Sequence, residues 1–221
     1  MNDVVLVSKD LPSHASKGEG LGNEFIKAEH LQTPRVKQLQ VMSHEVDENH
    51  SEFLEGAKPG DFFNTITREN YGKEMYIINI KFTEEFVIWR KRERGGGLIG
   101  SFPSNAEALE HLKSQDLKVE DHEITQTQSH LLLKKDPETG ALDSQPFIFD
   151  CSSSKLRVSR EWNTQLQLVG GDRFSSLWKM SSSETQNRNG QKFWNIGVQN
   201  IGWVTDENYE AAKSLYTSVS K

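Results

Sequence analysis

From residue 61 onward, short runs of β-branched and aromatic residues alternate with Gly, Pro and Asn, a rhythm that suits strands joined by tight turns. Pro59-Gly60 precedes the first run, residues 61–67, and Asn70-Tyr71-Gly72 breaks it. Residues 75–82 predict a half-buried strand. After Thr83-Glu84-Glu85, residues 86–92 predict another whose later positions turn cationic, and past Gly95-Gly96-Gly97 the sheet resumes at Leu98–Phe102. Two hairpins follow. One joins 124–133 to 145–151 around Asp136-Pro137-Glu138-Thr139-Gly140. The other joins 174–181 to 192–198 around Asn187-Arg188-Asn189-Gly190, where Asn-Gly is a strong turn signal. Residues 201–204 end the sheet.

Helical spacing is confined to three places. Ser104 caps a helix over 105–115 with Ala106, Leu109 and Leu112 at its period. Ser152-Ser153-Ser154 precedes a helix to about residue 168, striped by Val158, Trp162, Leu166 and Val169 and stopped by Gly170-Gly171. Thr205 caps a C-terminal amphipathic helix over 208–218, with Asp206 and Glu207 at its positive end. Strands and long helices do not alternate as a parallel sheet requires. The pattern predicts a mainly β, β-rich α+β chain: an antiparallel barrel of the oligonucleotide-binding type, elaborated by hairpins.

Only 34% of the residues are apolar, so the core must draw on the five Trp and eleven Phe. The stretch from Ser8 to Gly22 is polar and glycine-spaced, which predicts a flexible segment over 1–22 and a single domain over 23–221. A lone cysteine, Cys151, excludes an internal disulfide and a multi-cysteine zinc site, and reads as a small buried hydrophobe. The start, Met1 to Val7, has no basic lead and only four consecutive apolar residues, Val4 to Val7, unlike a signal peptide. No apolar run approaches the ~18 residues of a membrane helix. A cytoplasmic location, away from membranes, is expected.

Charge is segregated along the chain. Residues 43–61 carry six acids against Lys58, and 152–194 carry seven bases against three acids, within a total of −6. The sharpest local feature is Trp89-Arg90-Lys91-Arg92-Glu93-Arg94, followed by three glycines. Read as a strand, it sends Trp89 and Lys91 to one side and Arg90 and Arg92 to the other. Cations beside an exposed ring suit unpaired nucleic acid, whose bases stack while its phosphates pair. The same run also fits a charged edge strand that resists aggregation.

Arg157 and Arg160 share a helix face and could extend such a surface, or form an ordinary solvated face with Glu161. Trp178 with Lys179 and Trp194 with Lys192 lie on the two arms of the second hairpin, as a stacking platform or as cross-strand packing. Trp162 reads as core, and Trp203 as packed beneath the last helix.

Enzymatic signals are thin. The seven histidines show no helical metal spacing. Gly18-Glu19-Gly20-Leu21-Gly22 lacks the lysine of a phosphate loop, and Cys151 has no activating neighbour. The carboxylates of 45–61 sit in a loop without the rigid frame a metal-dependent nuclease needs. No catalysis and no cofactor are expected.

Four segments together carry a family resemblance: Gly60-Asp61-Phe62-Phe63-Asn64-Thr65, the Trp89-to-Gly97 run, Leu156 through Asn163, and Gly202-Trp203-Val204-Thr205-Asp206-Glu207. Over roughly residues 20 to 218 the chain resembles a family of replication-region proteins of tailed phages. The resemblance implies single-stranded DNA-binding proteins of the oligonucleotide-binding fold. It also implies binding of unpaired DNA in replication or recombination without hydrolysis, alongside phage replication proteins. One departure stands out. Many such proteins end in an acidic tail that recruits partners, whereas no acid follows Glu210 here. Recruitment would then use the acidic segment at 45–55 or be absent. The rival expectation is a protein-interaction module that contacts a host or phage protein through 43–61.

Overall fold

The computed structural model describes residues 21–27 and 30–220. The chain divides into two compact units, Met1–Gln32 and Thr33–Lys221. Most of the segment expected to be flexible, and the glycine run at 18–20, lie outside the described residues. In the first unit the described residues form turns, with Ile26 N donating to Asn23 O at 3.0 Å.

The second unit is built on one nine-stranded, strongly curled half-barrel sheet with three α-helices. Its strands are β1 (Arg35–Gln38), β2 (Phe62–Asn64), β3 (Asn70–Gly72), β4 (Glu74–Arg90), β5 (Leu98–Phe102), β6 (His122–Lys135), β7 (Phe147–Ser152), β8 (Ser176–Gln186) and β9 (Lys192–Trp203). The helices are α1 (Asn105–Ser114), α2 (Lys155–Val169) and α3 (Asp206–Val219). Strands run in the order β3-β2-β1-β7-β6-β4-β8-β9, with β5 also on β4. Every pairing is antiparallel except β1 with β7. At this level the β-rich, barrel-like expectation holds.

β4 is the spine. The expected break at Thr83-Glu84-Glu85 does not occur: these residues pair with Ser129, Gln128 and Thr127 of β6. Their side chains are exposed, so acids cost little there, and Glu84 accepts from Gln126 and Gln128 across the ladder. A register shift between Asn79 and Lys81 leaves Ile80 as an extra residue, which bends the strand and changes which alternate positions point inward. Before the bulge, Met75 and Ile77 meet Val158, Trp162 and Leu166 of α2, around which residues from β1, β2, β6, β7, β8 and β9 also converge. Ile78 and Ile80 face the other way, toward Phe174 and Ala212 of α3. Beyond the bulge, Ile88 packs on Ala108 and Leu112 of α1. One strand thus serves three apolar clusters.

Several expectations need correction. The basic run is strand only to Arg90; Arg92–Arg94 is a 3-10 turn, so the two-sided alternation ends there. Residues 65–67 turn after Asn64, whose Oδ1 accepts from Ile66 N and Thr67 N. Ala108, not Ala106, is the buried alanine of α1. β1 is short and polar at alternate positions and gives no strong sequence signal. Trp203 does not pack beneath α3; it is 64% exposed, and Phe174, Val204 and Leu177 fill that place.

Inside the α2 cluster sits one polar chain. His130 is fully buried and stacks on Trp162 with centroids 4.5 Å apart. Asn79 Nδ2 lies 2.9 Å from its Nδ1, and Ser159 Oγ 2.8 Å from its Nε2. With the Asn79 amide donating, the neutral ring carries its proton on Nε2 and passes it toward the hydroxyl. Burial, and then the nearby Arg173 charge, pushes its pKa down to about 3. The unfolded chain takes up this proton near pH 6.5, whereas the folded state refuses it until near pH 3. The contribution is therefore complete above the unfolded value and is lost as pH falls through that window, with a limiting slope of about 1.4 kcal/mol per pH unit. Urea unfolding of wild type and His130→Gln between about pH 7 and about pH 5 checks this. The variant should be less stable at neutral pH and show a flatter fall; equal slopes would assign the acid sensitivity elsewhere.

Candidate nucleic-acid interface

Beyond the bulge, the face of the sheet turned away from α2 carries an open groove among the described residues. Glu85, Val87 and Trp89 of β4 lie beside Thr125, Thr127 and Ser129 of β6, then Asp150 and Ser152 of β7, with Leu98 and Ser101 of β5 on the other flank. Together with Arg35 they line a groove of about 480 Å³. β-branched threonine suits a strand, and its hydroxyl leaves the open face polar. The carboxylates here are engaged: Asp150 pairs with Arg35 and accepts from Ser129 Oγ at 2.6 Å, and Glu85 accepts from Ser101 Oγ. At one end Trp89, 43% exposed, stands opposite Glu123 of β6 and Leu98 of β5.

The basic turn continues directly from Trp89. Arg90 N donates to Gly97 O and Lys91 N to Asp121 O, both at 2.9 Å, which pins the two ends of the turn. Gly95, Gly96 and Gly97 all have positive φ, at 97°, 66° and 109°, a path a side chain would strain. Arg94 is tied to Asp121, Nε to Oδ1 at 2.7 Å. Arg90, Lys91 and Arg92 are exposed and form no ion pair among the described residues. Alternation sends Arg90 to the face opposite Trp89, while Lys91 and Arg92 leave the strand altogether.

The other expected contacts do not join them. Arg157 is paired with Glu161 at 3.0 Å, and Arg160 donates to Gln126 Oε1 at 3.2 Å. Gln126 sits opposite Phe86, on the helix-covered side of the sheet, so the α2 cations and Trp89 belong to opposite faces. The stacking platform on the second hairpin is also corrected. Trp178 is completely buried, edge-on to Trp162 at 5.9 Å, and offers no ring face. Lys179 pairs with Glu74 at 2.8 Å and Lys192 with Glu184 at 3.0 Å. Trp194 is half-buried, with Gly60 against its ring and the Lys73 ammonium 4.0 Å from its ring centroid. Cys151 is buried, and desolvation pushes its thiol up to about 12, so it is no nucleophile.

Sequence reasoning missed Arg35 and the hydroxyl row, because strand threonines carry no motif. It also missed Gln40. The Gln40 side-chain amide donates to Trp194 O at 3.0 Å and accepts from Trp194 N at 2.9 Å, standing in for a peptide group at β9. Gln38 adds bonds to Asn195 O at 3.0 Å and Ser182 Oγ at 2.6 Å. These side chains stitch the segment after β1 onto β9, where no backbone ladder closes the half-barrel.

A family model of Pam3 phage gp34-like proteins matches residues 6–221. The chain belongs to the Pam3 phage gp34-like family. Members are phage proteins, which agrees with the phage resemblance carried by the Trp89-to-Gly97 run. Comparison with curated proteins and with solved structures returns no match. Among the described residues no helix is long and apolar enough to cross a membrane.

The stitch at Trp194 depends on Gly60. Its φ is +97°, and a Cβ there would meet the Trp194 ring at 2.5 Å. Gly60→Ala should therefore cost about 2 kcal/mol or more, from backbone strain plus overpacking. Urea denaturation followed by tryptophan fluorescence measures it, and an unchanged midpoint would show that the Trp194 contact carries no stability.

Proposed function

We propose that this phage protein binds single-stranded DNA without sequence preference during replication or recombination, and performs no hydrolysis. The observation that carries the reading is the meeting, at one end of one sheet face, of a half-exposed indole, a hydroxyl-lined groove and the turn that bears the exposed Lys91 and Arg92, which form no ion pair among the described residues. Trp89 stacks a base and Lys91 and Arg92 take phosphates beside it, while Arg90 lies on the opposite face. Arg94 acts through Asp121, which holds the turn. The hydroxyls of Thr125, Thr127 and Ser129 offer polar contacts along the groove toward Arg35. An oligonucleotide-binding barrel presents its ligand face in this way. In this chain the strand path leaves β3 and β9 as the ends of a half-barrel.

Titration of a labelled oligonucleotide at two salt concentrations tests the proposal. Each phosphate contact contributes about −0.7 to the slope of log K against log salt for single strands. Neutralising Lys91 and Arg92 together should flatten the slope by about 1.4. Trp89→Ala should cost about 1–3 kcal/mol, or about 5- to 150-fold. Substituting Arg157 and Arg160 should change little, because they face the other way. No binding at low salt would end the proposal.

A second reading has one observation in its favour. The acidic segment at 43–61 is held by backbone hydrogen bonds and follows Val41 and Met42, 58% and 89% exposed, an apolar tip beside carboxylates that suits a protein partner. Glu45 is buried against Lys37, so the contact would use Asp47, Glu48 and Glu55. A partner captured from host lysate and lost when those three are neutralised would favour it over DNA binding.

A further inference from the structure

We propose that His44, His50 and Glu52 form a zinc site that clamps the 43–61 loop. Their ligating atoms lie within 4.8 Å of one another. Two histidines and a carboxylate are a recognised zinc donor set, with water completing a tetrahedron. Helical or Cys/His spacing gives no hint of it, because the three residues are gathered by turns.

Those turns supply a frame. A 3-10 turn spans His44–Val46, and the adjacent Glu45 is buried, its carboxylate 3.1 Å from Lys37 Nζ. Leu54 N returns to Glu45 O at 3.0 Å, closing the loop across the three donors. His50 N donates to Asp47 O at 2.9 Å, Phe53 N to His50 O at 3.0 Å, and Arg68 holds Glu52 O at 2.9 Å. Each donor residue is thus fixed through its backbone or its neighbour, while the His44 and Glu52 side chains remain 62% and 57% exposed and free to adjust.

The side chains are partly gathered. His44 Nδ1 lies 3.4 Å from Glu52 Oε2, close to the ~3.3 Å separating two ligands on a tetrahedral zinc with bonds near 2.0–2.1 Å. The imidazoles of His44 and His50 stack with centroids 3.8 Å apart, so one ring must tilt to bring its nitrogen onto the ion. His50 Nδ1 accepts from Glu52 N at 3.1 Å, which shows an unprotonated lone pair directed at the Glu52 segment. Zinc taking that lone pair exchanges it for one exposed backbone hydrogen bond. Asp47, Glu48 and Glu55 surround the cluster in sequence and add negative potential that favours a cation.

The proposal stands apart from DNA binding and is tested on the full chain, stripped with chelator and titrated with zinc sulfate by calorimetry. One zinc per chain should bind below about 10 µM at neutral pH. At roughly 100 times Kd, the melting temperature should rise by roughly 5–10 °C. Glu52→Gln should weaken binding at least about tenfold, and the double substitution His44→Ala, His50→Ala should abolish it. Both variants should melt like wild type in chelator, because their side chains are not core. Binding of equal strength by the double variant would place zinc on other histidines and overturn the proposal, as would no binding by wild type at about 100 µM.

Discussion

A central strand must satisfy hydrogen-bonding groups along both edges, and β4, at seventeen residues, is too long for one neighbour to do so on each side. β6 runs along one edge from Tyr76 to Arg90, while the other edge is divided between β8 at Glu74 to Ile78 and β5 at Phe86 to Trp89. This division is what lets the sheet curl one way around α2 and extend the other way to carry α1. The bulge at Ile80 sits between the two halves. Before it, odd-numbered side chains point at α2; after it, even-numbered ones do, as Phe82 against His130 and Ile88 against α1 show. Without the extra residue, Glu84 and Glu85 would exchange faces with their neighbours, and Trp89 would point at α1 instead of at solvent.

The polar chain Asn79–His130–Ser159 lies where the bend occurs, and its placement follows from the same register. Asn79 is the last residue before the bulge, and His130 pairs opposite Phe82 just beyond it. Both point at α2, where Ser159 is the one buried hydroxyl on an otherwise apolar helix face. In composition the group resembles a hydrolytic triad, yet all three residues are fully buried. A substrate has no path to Ser159, and the amide can only orient the ring. The arrangement is structural, with each ring nitrogen given a partner so that a neutral histidine can sit against Trp162.

Elements with strong local signals were legible from sequence: the helix caps at Ser104 and Thr205, whose hydroxyls accept from Glu107 N and Asn208 N, and the Asn-Gly turn between β8 and β9. Features set by distant contacts were not. Glu84 and Glu85 read as a break because sequence does not show that β6 supplies glutamines to Glu84 and β5 a serine to Glu85. Trp178 and Trp194 read alike as hairpin indoles with neighbouring lysines, yet one faces the α2 core and the other is half-buried against Gly60 and Lys73. For the candidate surface, the Trp89 run was visible as a motif. Its separation from Arg157 and Arg160 was not, because face identity depends on the register of β6.

That separation changes the physical picture of binding. Cations spread over both faces of a sheet cannot serve one ligand strand, so the relevant positive density is the short turn after Trp89, offset by Glu93 within it and Glu123 beside the ring. With a total of −6, the long-range field of the chain does not draw in a polyanion. On the proposed reading, affinity would come from contacts made at close range, where stacking on Trp89 would be insensitive to salt and the phosphate contacts would be few. Under that proposal, such a surface would suit transient, low-density contact with DNA rather than the cooperative coating of long single strands. The acidic loop is anchored on β9 through Gln40 and Gly60, away from that turn in the fold.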